Sequence, residues 1–227
     1  MLASVIIPAL NEAGNIAQTI AAVRRRYSPS EVEIVVVDGG SQDGTPQRVP
    51  ADARIICARR GRALQMNAGV RASTGEILVF CHADTHLPSG WREAVVDALA
   101  KPGASGGAFQ IEFIPPVGVF HLLNRLRLPC DWHLMFGDQA QFVSRKTFEK
   151  LGGFPEIPLM EDVDMSRKLH NAGRLVRLPL RVSSSSRRFQ ESGAIRQLLL
   201  DTWLWARYLY FGASPEQLAR HYQPNRQ

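Results

Sequence analysis

Residues 34–45 read Ile-Val-Val-Val-Asp-Gly-Gly-Ser-Gln-Asp-Gly-Thr, a continuous apolar run that stops at an acidic, glycine-rich segment. A strand that is apolar at every position is typical of a sheet with both faces covered. Apolar runs elsewhere predict further strands, and apolar residues at helical spacing predict helices between them. Strands are predicted over residues 4–7, 34–37, 54–57 and 77–81, and Pro8 is expected to end the first of them. Helices are predicted from Ile16, with Asn11 as its cap, and over residues 64–70 and 91–99. This β-α-β rhythm predicts an α/β fold with a mostly parallel central sheet flanked by helices.

The second half of the chain is less regular. Its patterns predict strands over residues 108–113 and 141–143, a helix from Glu161 to Ala172 closed by Gly173, and a loop over residues 183–188. Residues 191–227 have a helical pattern rich in tryptophan and tyrosine. We therefore predict one main domain over residues 1–190 and a C-terminal amphipathic helical extension over residues 191–227.

The chain is basic, with a net charge of +6 from 27 Lys and Arg against 21 Asp and Glu in 227 residues. A basic surface favours anionic partners such as nucleotides, nucleic acid or an anionic membrane. The arginines are scattered rather than arranged in a stripe, and no nucleic-acid-binding motif is present. We therefore expect no nucleic acid partner.

The cysteines and the N-terminus bear on the compartment. Cys57, Cys81 and Cys130 are too few and too far apart for a zinc knuckle or a redox pair, so we expect them to be reduced and buried. The N-terminus lacks the basic segment of a signal peptide, and no stretch of about 20 apolar residues predicts a membrane span. These observations predict a cytoplasmic protein.

Polar residues follow three of the predicted strands. They are Pro8–Glu12 after the first strand, Asp38–Thr45 after the second and His82–Thr85 after the fourth. Ligands of parallel α/β sheets bind outside the carboxyl ends of the strands, so these segments should meet at one edge. Turn residues follow most strands, but acidic clusters at one edge repel each other unless a cation or a donor-rich ligand lies among them.

The residue types at this edge suit a phosphate-bound metal. Asp84 is the best candidate ligand, because Mg²⁺ and Mn²⁺ are commonly held by one or two carboxylates together with substrate phosphates. His82, two residues earlier, could add a nitrogen ligand, which Mn²⁺ tolerates. Arg62, with Arg59 and Arg60, could neutralise a diphosphate. A solvated loop explains Arg59 and Arg60 equally well.

A second acidic group, Glu161, Asp162 and Asp164, begins the predicted helix over 161–172. Carboxylates are favoured at a helix N-terminus, so structural capping explains part of this group. A carboxylate here could also act as a general base on a hydroxyl.

Six segments match, in order, the motifs of a known family. They are SVIIPALNE at 4–12, VVVDGGSQDGT at 35–45, GRALQMNAG at 61–69, GEILVFCHAD at 75–84, GGFP at 152–155 and EDVDMSRKL at 161–169. The chain resembles the glycosyltransferase family 2 enzymes of the GT-A fold, most closely a short bacterial subgroup. The resemblance covers roughly residues 4–180.

The resemblance implies transfer of a sugar, with inversion, from a nucleotide diphosphate donor with a divalent cation, Mn²⁺ or Mg²⁺. It also implies roles for individual residues. Asp38 matches the acid that recognises the nucleotide base, and Asp84 matches the last acid of the Asp-x-Asp metal motif. Asp162 matches the residue that acts as the catalytic general base, with Glu161 beside it. Pro8, Ala9, Asn11 and Glu12 match the segment that lines the nucleoside pocket, and Arg62 and Asn67 the segment that closes over the donor.

The sequence departs from the family pattern in two places. His82 stands where the family usually has the first Asp of Asp-x-Asp, which bears on the choice of metal. The Gln-x-x-Arg-Trp signature of processive synthases is absent, which argues against polymer synthesis. The segments Ser186–Phe189 and Gly137–Gln139 are candidates for the diphosphate and acceptor sides, with ordinary turns as the alternative.

The C-terminal segment leaves three alternatives open. Its aromatic residues between 198 and 211, interrupted by Asp201 and Arg207, suit a membrane interface. The same helix could instead pack on the main domain or on a second copy of the chain in a homodimer. A membrane helix would suit a peripheral protein at the inner face of the cell membrane with a lipid-linked acceptor.

Two other functions compete with glycosyl transfer. A nucleotidyltransferase would carry a glycine-rich Arg/Lys signature near the first strand, where this chain has Pro8–Glu12. A nucleotide-sugar-binding protein without turnover would explain His82 as a decayed metal site, but the intact Asp84 and Asp162 argue against it.

Overall fold

Residues 34–38 of the opening segment lie in a parallel half-sheet, and residues 39–45 form the loop that follows. The computed structural model describes residues 1–118 and 135–222. Strands β1 (Ala3–Ala9), β2 (Val32–Asp38), β3 (Arg54–Cys57) and β4 (Ile77–Phe80) lie in the order β3-β2-β1-β4, and all three neighbouring pairs are parallel. They alternate with α1 (Ile16–Arg24) and α2 (Arg62–Ala72), and α3 (Trp91–Leu99) follows. This confirms the predicted α/β fold.

The sheet continues on the β4 side with mixed strand directions. β5 (Thr85–His86), β6 (Ala104–Ile114), β7 (Phe142–Ser144) and β8 (Arg174–Ser185) extend it in the order β4-β7-β6-β8-β5. β7 is antiparallel to β4 and β6, and β5 to β8, whereas β6 and β8 are parallel. Parallel pairing therefore accounts for four of the seven neighbouring pairs in the described sheet.

The full apolar character of the central strands is explained by helices on both faces of the sheet. Along β1, Val5 and Ile7 pack with Ile16, Ile20 and Trp91 on the face covered by α1 and α3. The alternate residue Ile6 packs on the other face with the α2 residues Met66 and Val70. Successive side chains of a strand point to opposite faces, so a strand covered on both sides is apolar throughout.

Five further helices complete the described chain: α4 (Arg145–Lys150), α5 (Glu161–Ala172), α6 (Arg187–Ser192), α7 (Ala194–Phe211) and α8 (Pro215–His221). α7 and α8 pack back onto the domain, where Leu204 and Leu218 bury against Leu159. The Tyr208 hydroxyl donates to Oδ1 of Asp164 at 2.6 Å, joining α7 to the first turn of α5. Over residues 1–118 and 135–222, no helix combines the length and the hydropathy needed to cross a bilayer.

Two local predictions about the first strand and helix were wrong. Pro8 lies within β1, because β4 pairs with β1 only as far as Ile6 and does not require a donor from Pro8. Asn11 does not cap α1. Its backbone φ is 55° in the loop before the helix, and Asn15 is the N-cap residue.

The loop predicted over residues 183–188 was also wrong. Ser183–Ser185 end β8, where they pair with β6 on one side and β5 on the other. Arg187 begins α6. Cys81 is buried as expected, but Cys57 is exposed because it ends the edge strand β3. Cys130 lies outside the described residues.

Candidate active site

The loops after β1 and β2 are joined at the carboxyl edge of the sheet. The Asn11 N–H donates to Oγ of Ser41, and Oδ1 of Asn11 accepts from the Gln42 N–H, both at 2.9 Å. The Glu12 N–H donates to Oγ1 of Thr45 at 2.8 Å. Two of the three polar segments that were predicted to meet, those after β1 and β2, therefore form one hydrogen-bonded wall.

Asp38 holds this wall in shape. Its side chain is buried, and its Oδ2 accepts from the N–H groups of Gly40 and Ser41 at 2.9 and 3.0 Å. Its Oδ1 accepts from the Ser41 hydroxyl. These contacts fix the turn that follows β2 and leave the backbone at the end of β1, Pro8 and Ala9, beside it in register.

Gln65 is a supporting residue that sequence reasoning missed. From the buried side of α2, its amide Nε2 donates to the carbonyls of Ala9 and Val37, at 2.9 and 2.7 Å. It therefore locks the ends of β1 and β2 to the helix. The signal for it was a polar side chain at an otherwise buried helical position, within the quoted segment 61–69.

Glu12 connects the first loop to α6. Its Oε1 accepts from Nη2 of Arg187 at 3.2 Å, and its Oε2 accepts from the Asn15 amide at 2.7 Å. Burial raises the pKa of Glu12, and the nearby Asp84 adds to this, while Asn15 and Arg187 oppose it. Arg187 thus offsets the negative charge of both Glu12 and Asp84.

The N-termini of α2 and α5 meet through an ion pair. Nη1 of Arg62 lies 3.1 Å from Oε1 of Glu161, whose side chain is only 2% exposed. Burial raises the pKa of Glu161, and the adjacent Asp162 adds to this, while Arg62 opposes it. The pair thus couples the segment predicted to close over a donor to the acidic pair of the fifth helix.

Asp162 is held by backbone donors. Its Oδ2 accepts from the Gly137 N–H at 2.6 Å, and its Oδ1 from its neighbour Val163 at 2.8 Å. The residue that precedes the helix, Met160, has a φ of 70°, which is uncommon for a side chain other than glycine. Such strain is retained where the surrounding structure holds it, often at functional sites.

His82 and Asp162 both contact the turn at Gly137. Nε2 of His82 is buried and has no hydrogen-bond partner among the described residues. A Cβ added to Gly137 would lie 2.9 Å from that atom and 3.2 Å from Oδ2 of Asp162. Burial lowers the pKa of His82 to about 3, with Arg62 and Arg188 contributing, so its imidazole is neutral at physiological pH.

Asp84 lies among cations at the same edge. Burial raises its pKa, while Arg187, Arg62 and Arg188 oppose that rise. In the described part of the chain, no three His, Cys, Asp or Glu side chains are grouped to hold a metal. Asp84 and the neutral His82 offer oxygen and nitrogen donors that suit Mn²⁺ or Mg²⁺ if a phosphate supplies the remaining ligands.

Asp138 is a further acid of this site, within the segment Gly137–Gln139 for which the sequence left an acceptor-side role and an ordinary turn open. Burial raises its pKa to about 6, with Asp162 and Asp84 adding to this and Arg188 and Arg62 opposing it. It follows Gly137 in a short 3₁₀ turn, Gly137–Gln139. Four acids and three arginines thus surround one region: Asp84, Asp138, Glu161, Asp162, Arg62, Arg187 and Arg188.

Asn67 is not brought into this group. Its amide Nδ2 donates to the Phe154 carbonyl at 2.9 Å, and its Oδ1 accepts from the Phe154 N–H at 3.0 Å. It also borders a separate cavity of about 710 Å³ with Arg71 and Arg145. Asn67 therefore anchors the loop that leads to α5 from the far side of α2.

The chain is similar to known proteins of one enzyme family. The model of the glycosyl transferase family 2 matches residues 4–151. Glycosyltransferase AglE of Haloferax volcanii is 34% identical over 124 residues, which are 51% of this chain and 41% of that protein. The probable glycosyltransferase YdaM of Bacillus subtilis is 26% identical over 77% of this chain and 48% of its own length. The chain thus spans less than half the length of these relatives.

Solved structures show the same fold. The mannosyltransferase PcManGT of Pyrobaculum calidifontis, in complex with GDP-Man and Mn²⁺, has a TM-score of 0.68 and 26% identity over 96% of this chain and 68% of its own. TarS of S. aureus, in complex with UDP-GlcNAc, has a TM-score of 0.66 and 18% identity over 82% of this chain and 59% of its own. The architecture is that of the GT-A glycosyltransferases. Because the family model matches residues 4–151, which are more than half of the chain, the chain belongs to glycosyltransferase family 2.

Proposed function

We propose that the chain transfers a sugar from a nucleotide diphosphate donor to an acceptor hydroxyl, in one displacement that inverts the anomeric carbon. The observation that carries this proposal is the placement of Asp162, whose carboxylate is oriented by the Gly137 and Val163 N–H groups beside a cluster of arginines. The bound GDP-Man and Mn²⁺ in the Pyrobaculum mannosyltransferase, 26% identical to this chain, support the choice of donor and cation.

The nucleoside is proposed to bind against the wall formed by the first two loops. Pro8, Ala9, Asn11 and Glu12 form one side of this wall, and Asp38 shapes the other by holding the turn after β2. Arg62 and Arg187, whose side chains are 38% and 45% exposed, are proposed to neutralise the diphosphate. Asn67 would contribute indirectly, because it positions the loop before α5.

Asp84 and His82 are the residues proposed to hold the divalent cation. A cation bound there would stabilise the negative charge that develops on the departing diphosphate. Asp84 brings the carboxylate that Mg²⁺ and Mn²⁺ prefer. The buried, unpartnered Nε2 of His82 is a neutral nitrogen, which Mn²⁺ accepts more readily than Mg²⁺ does.

Asp162 is proposed as the general base. The acceptor oxygen attacks the anomeric carbon and its proton passes to the Asp162 carboxylate, as the bond from that carbon to the phosphate oxygen breaks with its electron pair. The two backbone hydrogen bonds keep the carboxylate oriented, and the buried Glu161–Arg62 pair fixes the start of its helix. One displacement needs no protein nucleophile.

Ligand-dependent thermal unfolding would test donor binding. The chain is unfolded with a panel of nucleotide diphosphates, with and without Mn²⁺ or Mg²⁺. A ligand at 100 times its Kd should add about 2.7 kcal/mol to the free energy of unfolding. We expect one nucleotide to stabilise the chain in a metal-dependent way, and Asp84→Asn to abolish that effect. If a folded chain responds to no nucleotide, the proposal fails.

A turnover assay separates the competing functions. Glycosyl transfer from the cognate nucleotide sugar releases a nucleoside diphosphate, and nucleotidyl transfer releases pyrophosphate. Asp162→Asn should keep the nucleotide-dependent stabilisation and lose most of the release, because positioned proton transfer contributes about 10²–10⁴-fold. A stabilised wild-type chain that releases nothing with any acceptor tested would instead be a binding protein.

A further inference from the structure

Helix α7 is apolar on two sides. Its inner side packs on the domain through Leu204, which is 1% exposed, with Leu200 and Tyr208 beside it. Its outer side exposes five large apolar side chains, which we call the α7 outer face: Ile195, Leu199, Trp203, Tyr210 and Phe211, 68%, 65%, 42%, 72% and 75% exposed. Ile195, Leu199 and Trp203 are spaced by four and Tyr210 follows Trp203 by seven, so these four lie on one side of the helix, and Phe211 is exposed at its C-terminal end. A large exposed apolar patch marks an interaction surface.

A basic cavity borders the α7 outer face. It has a volume of about 200 Å³ and lies between α7 and α8. The guanidinium carbon of Arg207 lies 5.4 Å from the centre of the Trp203 ring, and the His221 ring meets the same ring edge-on at 5.4 Å. The described residues that line it include two arginines and no carboxylate: Trp203, Arg207, Gln217, Leu218, Arg220 and His221.

We propose that the α7 outer face and this cavity dock the chain on an anionic lipid bilayer. Exposed aliphatic and aromatic side chains can enter the acyl boundary, while tryptophan and tyrosine suit the interface because they combine an apolar body with a polar tip. Arg207 and Arg220, beside the same face, would contact lipid phosphates.

Charge favours a bilayer over a second copy of the chain. A two-fold dimer interface uses the same patch on both subunits. Such an interface over the α7 outer face would bring Arg207 and Arg220 to the patch from both sides, and the cavity offers no carboxylate to pair with them. An anionic surface supplies the missing negative charge.

Docking would also place the first turn of α5 across α7 from the bilayer, a separation of about 10 Å. Tyr208 of α7 donates to Asp164 at 2.6 Å, and Asp164 lies in the same helical turn as Asp162. A lipid-linked acceptor would then reach the base from the membrane side. This consequence rests on the proposed function, whereas the docking itself does not.

Vesicle co-sedimentation of the full chain would test the proposal, comparing phosphatidylcholine vesicles with mixed phosphatidylcholine and phosphatidylglycerol vesicles. We expect binding to the mixed vesicles that weakens with added salt, because surface charges are screened. Each arginine near an anionic surface contributes about 1 kcal/mol, or roughly fivefold, so Arg207→Gln with Arg220→Gln should weaken binding about 30-fold. Leu199→Ser with Phe211→Ser should weaken it at least as much.

The matched control is Arg48→Gln with Arg71→Gln, which removes the same charge from exposed arginines on the other half of the domain. Circular dichroism and thermal unfolding confirm that each variant folds. The proposal is overturned if the parent does not bind mixed vesicles, if its binding does not respond to salt, or if the control loses as much affinity as the Arg207 and Arg220 variant. It is also overturned if the parent is a dimer that Leu199→Ser with Phe211→Ser converts to a monomer.

Discussion

Gly137 offers the sharpest test of the proposed base, because a single methyl group added there reaches two side chains of the proposed site. A Cβ at this position would lie 2.9 Å from Nε2 of His82 and 3.2 Å from Oδ2 of Asp162, whereas ordinary contact begins at 3.4 Å. In Gly137→Ala, His82 must therefore retreat by about 0.5 Å and Asp162 by about 0.2 Å.

The size of the effect follows from these displacements. A misplacement of about 1 Å can cost 10²-fold in rate, so shifts of this size predict a kcat reduced roughly three- to tenfold. Overpacking costs about 1–3 kcal/mol. We expect the loss of unfolding free energy in Gly137→Ala to be about 1 kcal/mol, the low end of this range, because both crowded neighbours are side-chain atoms that can move. The KM for the donor should also rise, because His82 is proposed to hold the cation that meets the diphosphate, so kcat is the measurement that reports on Asp162.

The assay is steady-state release of nucleoside diphosphate, with the free energy of unfolding measured in urea. Gly14→Ala is the control, since its added Cβ meets nothing within 4 Å. His82→Ala in the Gly137→Ala background should recover most of the lost stability, because the closer contact is gone. An unchanged kcat, or an increased KM alone, would refute the placement of Asp162 at the reacting atoms.

Three further outcomes are expected. Arg62→Ala leaves the 2%-exposed Glu161 carboxylate unpaired and should lower the free energy of unfolding by roughly 2–3 kcal/mol, the usual range for a buried pair reduced for the partial exposure of Arg62. Urea titration should show that adding Glu161→Gln to this variant recovers part of the loss. An equal loss in the single and double variants would contradict the prediction. The pKa of Asp138 is raised from 3.8 to about 6, so its protonated form adds stability below about pH 4 that is lost as the pH rises through 6. Without metal, Asp138→Asn should match the stability of the parent at pH 4 and exceed it at pH 7.5 by at most about 3 kcal/mol. Identical pH profiles of unfolding free energy for the two proteins would exclude the shift. Leu204→Ala removes a side chain that is 1% exposed between α7 and the domain and should lower the free energy of unfolding by about 2–5 kcal/mol. Amide hydrogen exchange in this variant should be faster in α7 and α8 than in β1 and β2. Uniform exchange would mean that the two helices unfold together with the domain.

Local patterns predicted well the elements that carry their own periodicity. The strand over residues 54–57 and the helices over 91–99 and 161–172 have the predicted bounds. Each of these segments carries its own apolar periodicity and stop signal, which do not depend on distant residues. The segment 174–185 also alternates, with Val176, Leu178 and Val182 buried, but arginines and a proline between them obscured the strand.

The second half depended on partners far along the chain. Ser183–Ser185 have weak strand preference, yet they form the end of β8 because β6 and β5 provide hydrogen-bond partners on both sides. Arg187 approaches Glu12 across 175 positions of sequence. Neither contact has a local signal, since pairing and charge proximity arise only after the sheet has formed.

The sequence by itself determined the parallel half-sheet, the polar strand ends and the acidic start of α5, because apolar periodicity and turn chemistry are local properties of the chain. Only the tertiary structure decided which of these groups share a site. In the folded chain, Asp162 and His82 both lie beside Gly137, and Asp138 lies near Asp162 and Asp84. Asn67 instead hydrogen-bonds the loop at Phe154. Contacts of this kind depend on how helices pack across the sheet, and packing is a property of the whole chain.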